Sequence, residues 1–408
     1  MSMQIQPILA SLRKHKIPAA LIMLEIALAC AVLCNAVFMI SQRVGTMHLP
    51  NAIDESGLVD INMQGTDPKL AGADIPRDLA ALREIPGVTA VAATNLLPLG
   101  QNGWNSDVAT GPGDVMGKHN PNAATCYVTS GGPRAFGLQL LRGRFFNDDE
   151  YADSNLNGGF LPSGHVVVVT QSLAGRLWPE QNALGKELWI GNDVHYTVVG
   201  VAADVLRPNE NGLGLAGFHW VMFFPLAPSA MLNDYVVRSA PRDRERIRRA
   251  AVTKLEALSP HAVVKGTSCS DMRSTYFADA RSMVWMLVLV CTVMVAVTAF
   301  GIVGLTSFWV SQRRQQIGIR RALGATRGHI MRYFQTENFL LTAAGVLFGM
   351  VLAFGINVYL MQHYEMQRLP WYYLPGGAIA LWLLGQLAVI GPARRAAAVP
   401  PVVATRSV

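Results

Sequence analysis

The chain has 408 residues, 51% of them apolar and only 15% charged, with a net charge of +7. At that length two or three soluble domains are the ordinary expectation, but the apolar residues gather into four long stretches, which excludes a purely soluble chain and implies an integral membrane protein. The positive charge sits at the flanks of those stretches, so it does not call for a nucleic-acid partner.

Residues 1–16 are a basic N-terminal segment with Arg13, Lys14 and Lys16, followed by a first span over 17–40. A cleaved signal peptide is the competing reading. The apolar stretch Ile17–Ile40 exceeds the usual signal-peptide core and no small-x-small cleavage site follows it. Cys30 and Cys34 also lack a lipoprotein context. Glu25 lies nine residues after Lys16, ~14 Å into the span, where an unpaired carboxylate is costly. A partner on another helix is expected, with interhelical hydrogen bonding preferred over a proton relay.

Residues 41–281 form a polar block read as an α+β domain with stalk ends. Val166–Val169 and Tyr196–Val201 are β-branched runs, whereas Arg242–Leu258 has helical spacing, with Ile247, Ala251, Leu255 and Leu258 on one stripe. Gly and Asn cluster at Asn95–Gly117 and Asn155–Gly164, both read as exposed loops. Catalytic chemistry needs convergent polar groups, and the pattern does not supply them. His119, His165, His195, His219 and His261 lack metal-site spacing, and Asp148-Asp149-Glu150 reads as a solvated acidic turn. Gly117-Lys118 and Gly185-Lys186 lack the upstream Gly of a Walker A loop, since Pro112 and Glu180 stand there. Of the cysteines outside the spans, Cys126 and Cys269 are compatible with a disulfide by compartment, but no spacing requires one.

The second span, 282–310, belongs to a run of 31 uncharged residues from Ser282 to Gln312. As a helix this run reaches ~46 Å, longer than the ~30 Å hydrocarbon layer. Residues 311–334 then carry Arg313, Arg314, Arg320, Arg321, Arg327 and Arg332. Ile319, Leu323, Ile330 and Phe334 recur at helical spacing beneath Arg320, Arg321 and Arg327, which predicts an amphipathic segment at the membrane surface. Gly324 is placed to end a short helix and Thr326 to cap the next. A basic loop that only fixes topology is the plainer alternative.

The third span, 335–361, carries Glu337 at its start, for which Arg332 or Arg321 is the expected partner. Its small residues Gly345, Gly349 and Ala353 form a stripe that permits close helix packing, against either the second span or another protomer. A loop over 362–371, a fourth span over 372–391 and a tail over 392–408 complete the chain. Trp285, Trp309, Tyr333 and Trp371-Tyr372-Tyr373 read as interface anchors.

Twelve Lys or Arg residues and no Asp or Glu flank the spans on one side, whereas the segment 43–281 is net negative. The positive-inside rule therefore places both termini in the cytoplasm and the large domain outside.

Several segments together resemble a known family. Pro86-Gly87-Val88, Leu97-Pro98-Leu99-Gly100, Phe136-Gly137-Leu138, Arg142-Gly143-Arg144-Phe145-Phe146, Ala174-Gly175-Arg176-Leu177-Trp178 and Val198-Val199-Gly200-Val201 recur in order. Ile317-Gly318-Ile319-Arg320-Arg321-Ala322-Leu323-Gly324-Ala325 is the most diagnostic. With the one-plus-three span order, the chain resembles the MacB/FtsX-like permeases of type VII ABC systems, those with a MacB-like periplasmic core domain. Gln316 departs from the pattern, since many relatives carry Glu there.

The resemblance implies a noncatalytic inner-membrane subunit, with no cofactor in this chain and ATP and Mg on a partner ATPase dimer. It implies a coupling helix at Gln316, Ile317, Gly318, Ile319, Arg320, Arg321, Ala322, Leu323, Gly324 and Ala325. It also implies a second permease protomer, identical or different, and for tripartite efflux a periplasmic adaptor and a TolC-like outer-membrane channel. Lipoprotein release of the LolC/LolE type and FtsX-like regulation without export are the alternative roles.

Overall fold

The computed structural model describes residues 16–100, 102–112, 123–156, 160–191, 193–208, 217–364 and 368–398. Arg13, Lys14, Gly117, Lys118 and His119 lie outside them, as does most of the 392–408 tail. The chain divides into two compact units, Thr46–Asp279 on the one hand and Met1–Gly45 with Ala280–Val408 on the other.

The first unit is built on a mixed sheet of eleven strands: β1 (Leu58–Gln64), β2 (Val88–Thr94), β3 (Asn105–Ala109), β4 (Ala123–Ser130), β5 (Leu140–Gly143), β6 (Val166–Thr170), β7 (Glu187–Ile190), β8 (Val194–Ala202), β9 (Val221–Pro225), β10 (Asp234–Ser239) and β11 (Val263–Ser268). One arm of the sheet runs β11-β1-β10-β2, all antiparallel. A helix of Ala71–Arg83 joins β1 to β2, and a helix of Arg244–Leu258 joins β10 to β11. This is a βαββαβ arrangement of the ferredoxin-like kind, opened between its second and third strands by a long insertion. Alternation along β1 explains its two faces. Val59, Ile61 and Met63 pack with the helix stripes Ile75, Leu79, Leu82 and Ile247, Ala251, Leu255, whereas Leu58 belongs to a separate core on the opposite face.

The insertion closes on itself. β4 pairs β3, β3 pairs β7, β7 pairs β8, β8 pairs β6, β6 pairs β9, and β9 returns to β4 in parallel register. This ring leaves no free edge among its six strands, the usual remedy for exposed strand edges. β4 joins the ring to the open arm, because its last residues, Thr129 and Ser130, also pair with β2. Aromatic side chains lock the junction: Tyr127 stacks on Phe223 at 5.1 Å and meets Phe136 edge-on at 6.2 Å.

One sequence expectation changes here and another, the solvated acidic turn, is made more specific. The Asn95–Gly117 region is not all exposed loop: Leu96, Leu97 and Leu99 are buried and Asn105–Ala109 is strand β3, because the interspersed apolar residues find a core that local turn composition does not reveal. Asp148, Asp149 and Glu150 are the first turn of a short helix, Asp148–Ala152, capped by Asn147, and Glu150 is paired with Arg144 at 2.6 Å. Cys126 and Cys269 are both free thiols, each buried.

Numbered in chain order, the α-helices of the described residues are α1 (Lys16–Met47), α2 (Ala71–Arg83), α3 (Asp148–Ala152), α4 (Gln171–Leu177), α5 (Arg244–Leu258), α6 (Cys269–Tyr276), α7 (Ala278–Gln312), α8 (Arg314–Ala322), α9 (Arg327–Tyr364) and α10 (Tyr373–Ala397). α1, α7, α9 and α10 are long and apolar enough to cross a membrane. The C-terminal stalk end of the polar block is formed by α6 and the start of α7, divided at Phe277.

In the helical unit, the small-residue stripe of α9 meets α1, the first span. A Cβ at Gly349 would lie 2.5 Å from Cys30 Cβ, and one at Gly345 2.9 Å from Ile26 Cβ. The Ala353 carbonyl accepts from the Asn35 amide at 3.1 Å. Gly377 of α10 packs on Cys34 in the same way, and Gly385 on Thr342 of α9. Backbones approach closely wherever one side of the contact has no side chain, which is how helices associate when lipid removes the hydrophobic drive between them.

Candidate functional site

The segment between α7 and α9 is the candidate, because it holds the diagnostic motif and carries four Arg, Arg313, Arg314, Arg320 and Arg321, without an acid. α7 ends at Gln312, and Arg313 leaves the helix with φ −99° and ψ 10°, so the chain turns before α8 begins. Its guanidinium donates to both carboxylate oxygens of Glu337 at 3.1 Å and lies over the Trp309 ring at 5.8 Å. Glu337 was expected to meet Arg332 or Arg321, one or four helical turns away by sequence. The fold instead gives it Arg313, 24 residues distant, because the turn after α7 folds that side chain back against α9. Only 11% of the Arg313 side chain and 2% of the Glu337 side chain are exposed. Each ion is therefore costly without the other.

α8 is nine residues long and stops at a glycine. Gly324 has φ +93°, a left-handed conformation that side chains disfavour. The Gly324 amide donates to the Arg321 carbonyl at 3.1 Å and the Ala325 amide to the Arg320 carbonyl at 3.0 Å, the paired bonds of a Schellman motif. Two residues later the Thr326 hydroxyl accepts from the His329 amide at 3.2 Å and caps α9. A stop signal and a start signal thus hold a short helix apart from the long helices on either side.

The apolar residues of this segment part company. Ile317 and Gly318 of α8, with Ile330 and Phe334 of α9, are buried in the helical unit, whereas Ile319 is 46% and Leu323 83% exposed. The single stripe expected over Ile319, Leu323, Ile330 and Phe334 does not form, because the Gly324 turn breaks the helical phase between Leu323 and Ile330. The arginines also divide. Arg320 lies over the Tyr333 ring at 5.1 Å, and Arg321 donates to the Ala397 carbonyl at 3.2 Å, at the C-terminal end of α10. Arg321 is thus turned toward its own chain, where the unsatisfied carbonyls of a helix end favour a cation. What α8 and its C-cap present outward is Arg314, Gln315, Gln316, Ile319, Arg320, Ala322 and Leu323, an apolar centre with polar and basic edges.

The other singled-out residues lie away from this face. Glu25 is half-buried and points at Gly301 of α7: a Cβ there would sit 2.5 Å from either carboxylate oxygen. The helix contact is present, but among the described residues no hydrogen-bond donor to Glu25 is found. Gly301 is the residue that makes room for it, and no local signal marks that pairing. Trp309, read as an interface anchor, is buried, whereas Trp285, Trp371 and Tyr372 are exposed. Tyr373 packs on Phe38 at 5.3 Å, and its hydroxyl donates to Ser41 Oγ at 2.8 Å.

Two families match this chain in succession. The MacB-like periplasmic core domain matches residues 19–255, and the FtsX-like permease C-terminal region matches residues 288–401. Macrolide export ATP-binding/permease protein MacB of Marinobacter nauticus is 26% identical over 82% of this chain and 49% of its own length. Pyoverdine export ATP-binding/permease protein PvdT of Pseudomonas putida is 26% identical over 85% of this chain and 51% of its own. The ABC transporter permease YknZ of Bacillus subtilis is 24% identical over 66% of each chain. The chain spans about half the length of the two ATP-binding/permease relatives. With the periplasmic core domain matching more than half of its residues and the permease region following in order, the chain belongs to the MacB/FtsX-like ABC transporter permease family.

Proposed function

We propose that the chain is a noncatalytic permease subunit of an ABC efflux system in a bacterial inner membrane, with both termini in the cytoplasm and the sheet unit in the periplasm. ATP and Mg are handled by a separate ATPase dimer, and α8 is the element that docks on it. One observation carries this reading. Leu323 and Ile319 stand exposed on a helix that is otherwise anchored from below by Ile317 and flanked by a glycine stop and a threonine cap. An apolar centre with a polar rim is the composition of a protein interface, and an 83% exposed Leu beside a membrane surface otherwise has no partner among the described residues of its own unit.

In the proposed cycle, closure of the ATPase pair pushes α8. The push passes through the Arg313 turn into α7, which at 35 residues is ~52 Å long. Movement of α7 then moves the sheet unit and expels a substrate held outside the membrane, so no continuous pore is needed. The export names of the relatives support an efflux role, with a second permease protomer, a periplasmic adaptor and a TolC-like channel completing the path. The test pairs the chain with its ATPase in nanodiscs. Leu323→Asp lowers ATP turnover in the assembled complex more than tenfold, since a charge at an interface centre costs ~2 kcal/mol or more, while the chain's own melting temperature stays put. Normal turnover with Leu323→Asp overturns the docking assignment.

A further inference from the structure

On the face of the βαββαβ arm turned away from α2 and α5, the sheet unit holds a cavity of about 370 Å³. Strand alternation puts Asp60 and Asn62 of β1 on this face, and register sets Asn62 beside Asp234 of β10 and Lys265 of β11. The opposite wall is mixed: Leu96, Leu97 and Leu99 stand with Asn95 and Asn102 in the segment after β2, and Met272 with Thr275 on α6. Leu99 is held at φ +65°, a conformation that costs a non-glycine residue ~1–3 kcal/mol, and its side chain is buried there.

The polar half of the cavity is not balanced by the protein. Asp60 is only 8% exposed, and its Oδ1 is buried without a hydrogen-bond partner among the described residues. The Asn62 amide donates to Asp234 Oδ1 at 2.5 Å. Burial, and then the facing Asp234 carboxylate, hold Asp60 well above the usual carboxylate range, with Lys265 opposing. Burial likewise pushes Asp234 up to about 6, against the pull of the Asn62 hydrogen bond. Among the described residues, Asp60, Asp234 and Lys265 are the charged groups lining the cavity, and the Cys269 thiol at the start of α6 also feels Asp60. Two carboxylates facing one lysine leave one acid without a counter-ion, and that acid keeps its proton unless a cation takes its place.

We infer that this cavity is a binding site for a small organic amine, with its ammonium between Asp60 and Asp234 and its apolar body against Leu96, Leu97 and Met272. A primary ammonium brings three donors in a compact head, which suits the unpartnered Asp60 oxygen and the second oxygen of Asp234. A divalent metal is the poorer occupant: among the described residues no group of three or more His, Cys, Asp or Glu is placed to hold one, and Lys265 repels it. At about 370 Å³ the cavity lies at the small end of ligand pockets, which limits the ligand to one apolar group and its amine. Occupancy requires neither ATP nor the docking role of α8.

The test is calorimetric titration of the full chain in nanodiscs, without ATPase, using 4-phenylbutylamine and the uncharged 4-phenylbutanol. At pH 7.5 the amine binds once per chain and at least tenfold more tightly than the alcohol. Asp60→Asn weakens the amine tenfold or more and leaves the alcohol unchanged. Lowering the pH to 5 also weakens the amine, because both acids then hold protons. Lys265→Gln, on the edge strand β11, tightens amine binding, an effect that a purely structural role for the cluster does not produce. Equal binding of amine and alcohol, unchanged amine affinity in Asp60→Asn, or displacement of the amine by Ca²⁺ overturns the inference. If Asp60→Asn does not fold, Lys265→Gln decides: weaker or unchanged amine binding overturns it.

Discussion

The two units solve the burial problem with different materials. In the sheet unit the largest fully buried side chains include Tyr127, Tyr196, Phe136, Phe223 and Phe224, and their rings interlock. In the helical unit the tightest contacts fall at Gly345, Gly349, Gly377 and Gly385, while Glu337, Asn338, Asn35 and Asn357 are buried among them. Water drives large apolar groups together in the first case. In the second, lipid is as apolar as the side chains, so cohesion comes from close backbone approach and polar pairs, such as the Asn338 amide on the Gly385 carbonyl at 2.9 Å.

That contrast is open to attack by mutation, beginning with removal of bulk. Phe223→Ala deletes a ring from the centre of the sheet-unit core and should cost ~3–5 kcal/mol, read as a lowered denaturant midpoint of the full chain in nanodiscs. A loss near zero would mean that the aromatic cluster is not what holds the ring of strands closed.

The polar side of the contrast is tested at the ion pair. Glu337→Leu strands a buried Arg313 and should destabilise the helical unit by ~3–5 kcal/mol, whereas the double change Arg313→Met with Glu337→Leu should recover most of that loss. Equal damage from the single and double variants would show that the pair holds the Arg313 turn by geometry as well as by charge.

Adding bulk should hurt most where glycine makes the contact. Gly349→Leu must displace Cys30 or the α1 backbone and should cost ~1–3 kcal/mol, whereas Gly355→Leu, which meets nothing within 4 Å, should be neutral in the same melting assay. Comparable effects at the two positions would remove the argument that the stripe is a packing face.

The smallest expected effect is that of pH on the sheet unit. Asp234 has a folded pKa of about 6 against ~3.9 when unfolded. Between those values the folded chain binds more protons than the unfolded one, so stability falls as pH rises through 6, and the penalty disappears below ~4. Asp234→Asn should flatten this part of the profile, gaining a few degrees of melting temperature at pH 7.5 and little at pH 4.5. A steeper profile in the variant would reverse the assigned sign.

The amino-acid order alone determined the coarse plan. Long uncharged stretches can only be satisfied as helices in lipid, β-branched runs such as Val166–Val169 form strands, and the stripe Ile247, Ala251, Leu255 marks one buried helix face. Gly324 and Thr326 were likewise legible, because a left-handed stop and a hydroxyl cap act over four or five residues. Tertiary structure alone decided the partners. Arg313 for Glu337, Gly301 against Glu25, α1 under the α9 stripe, the return of β9 to β4 and the crowding of Asp60 with Asp234 all join residues far apart in the chain. Local propensity is a short-range property, whereas these pairings are selected by which buried surfaces and charges the whole fold brings within a few ångströms.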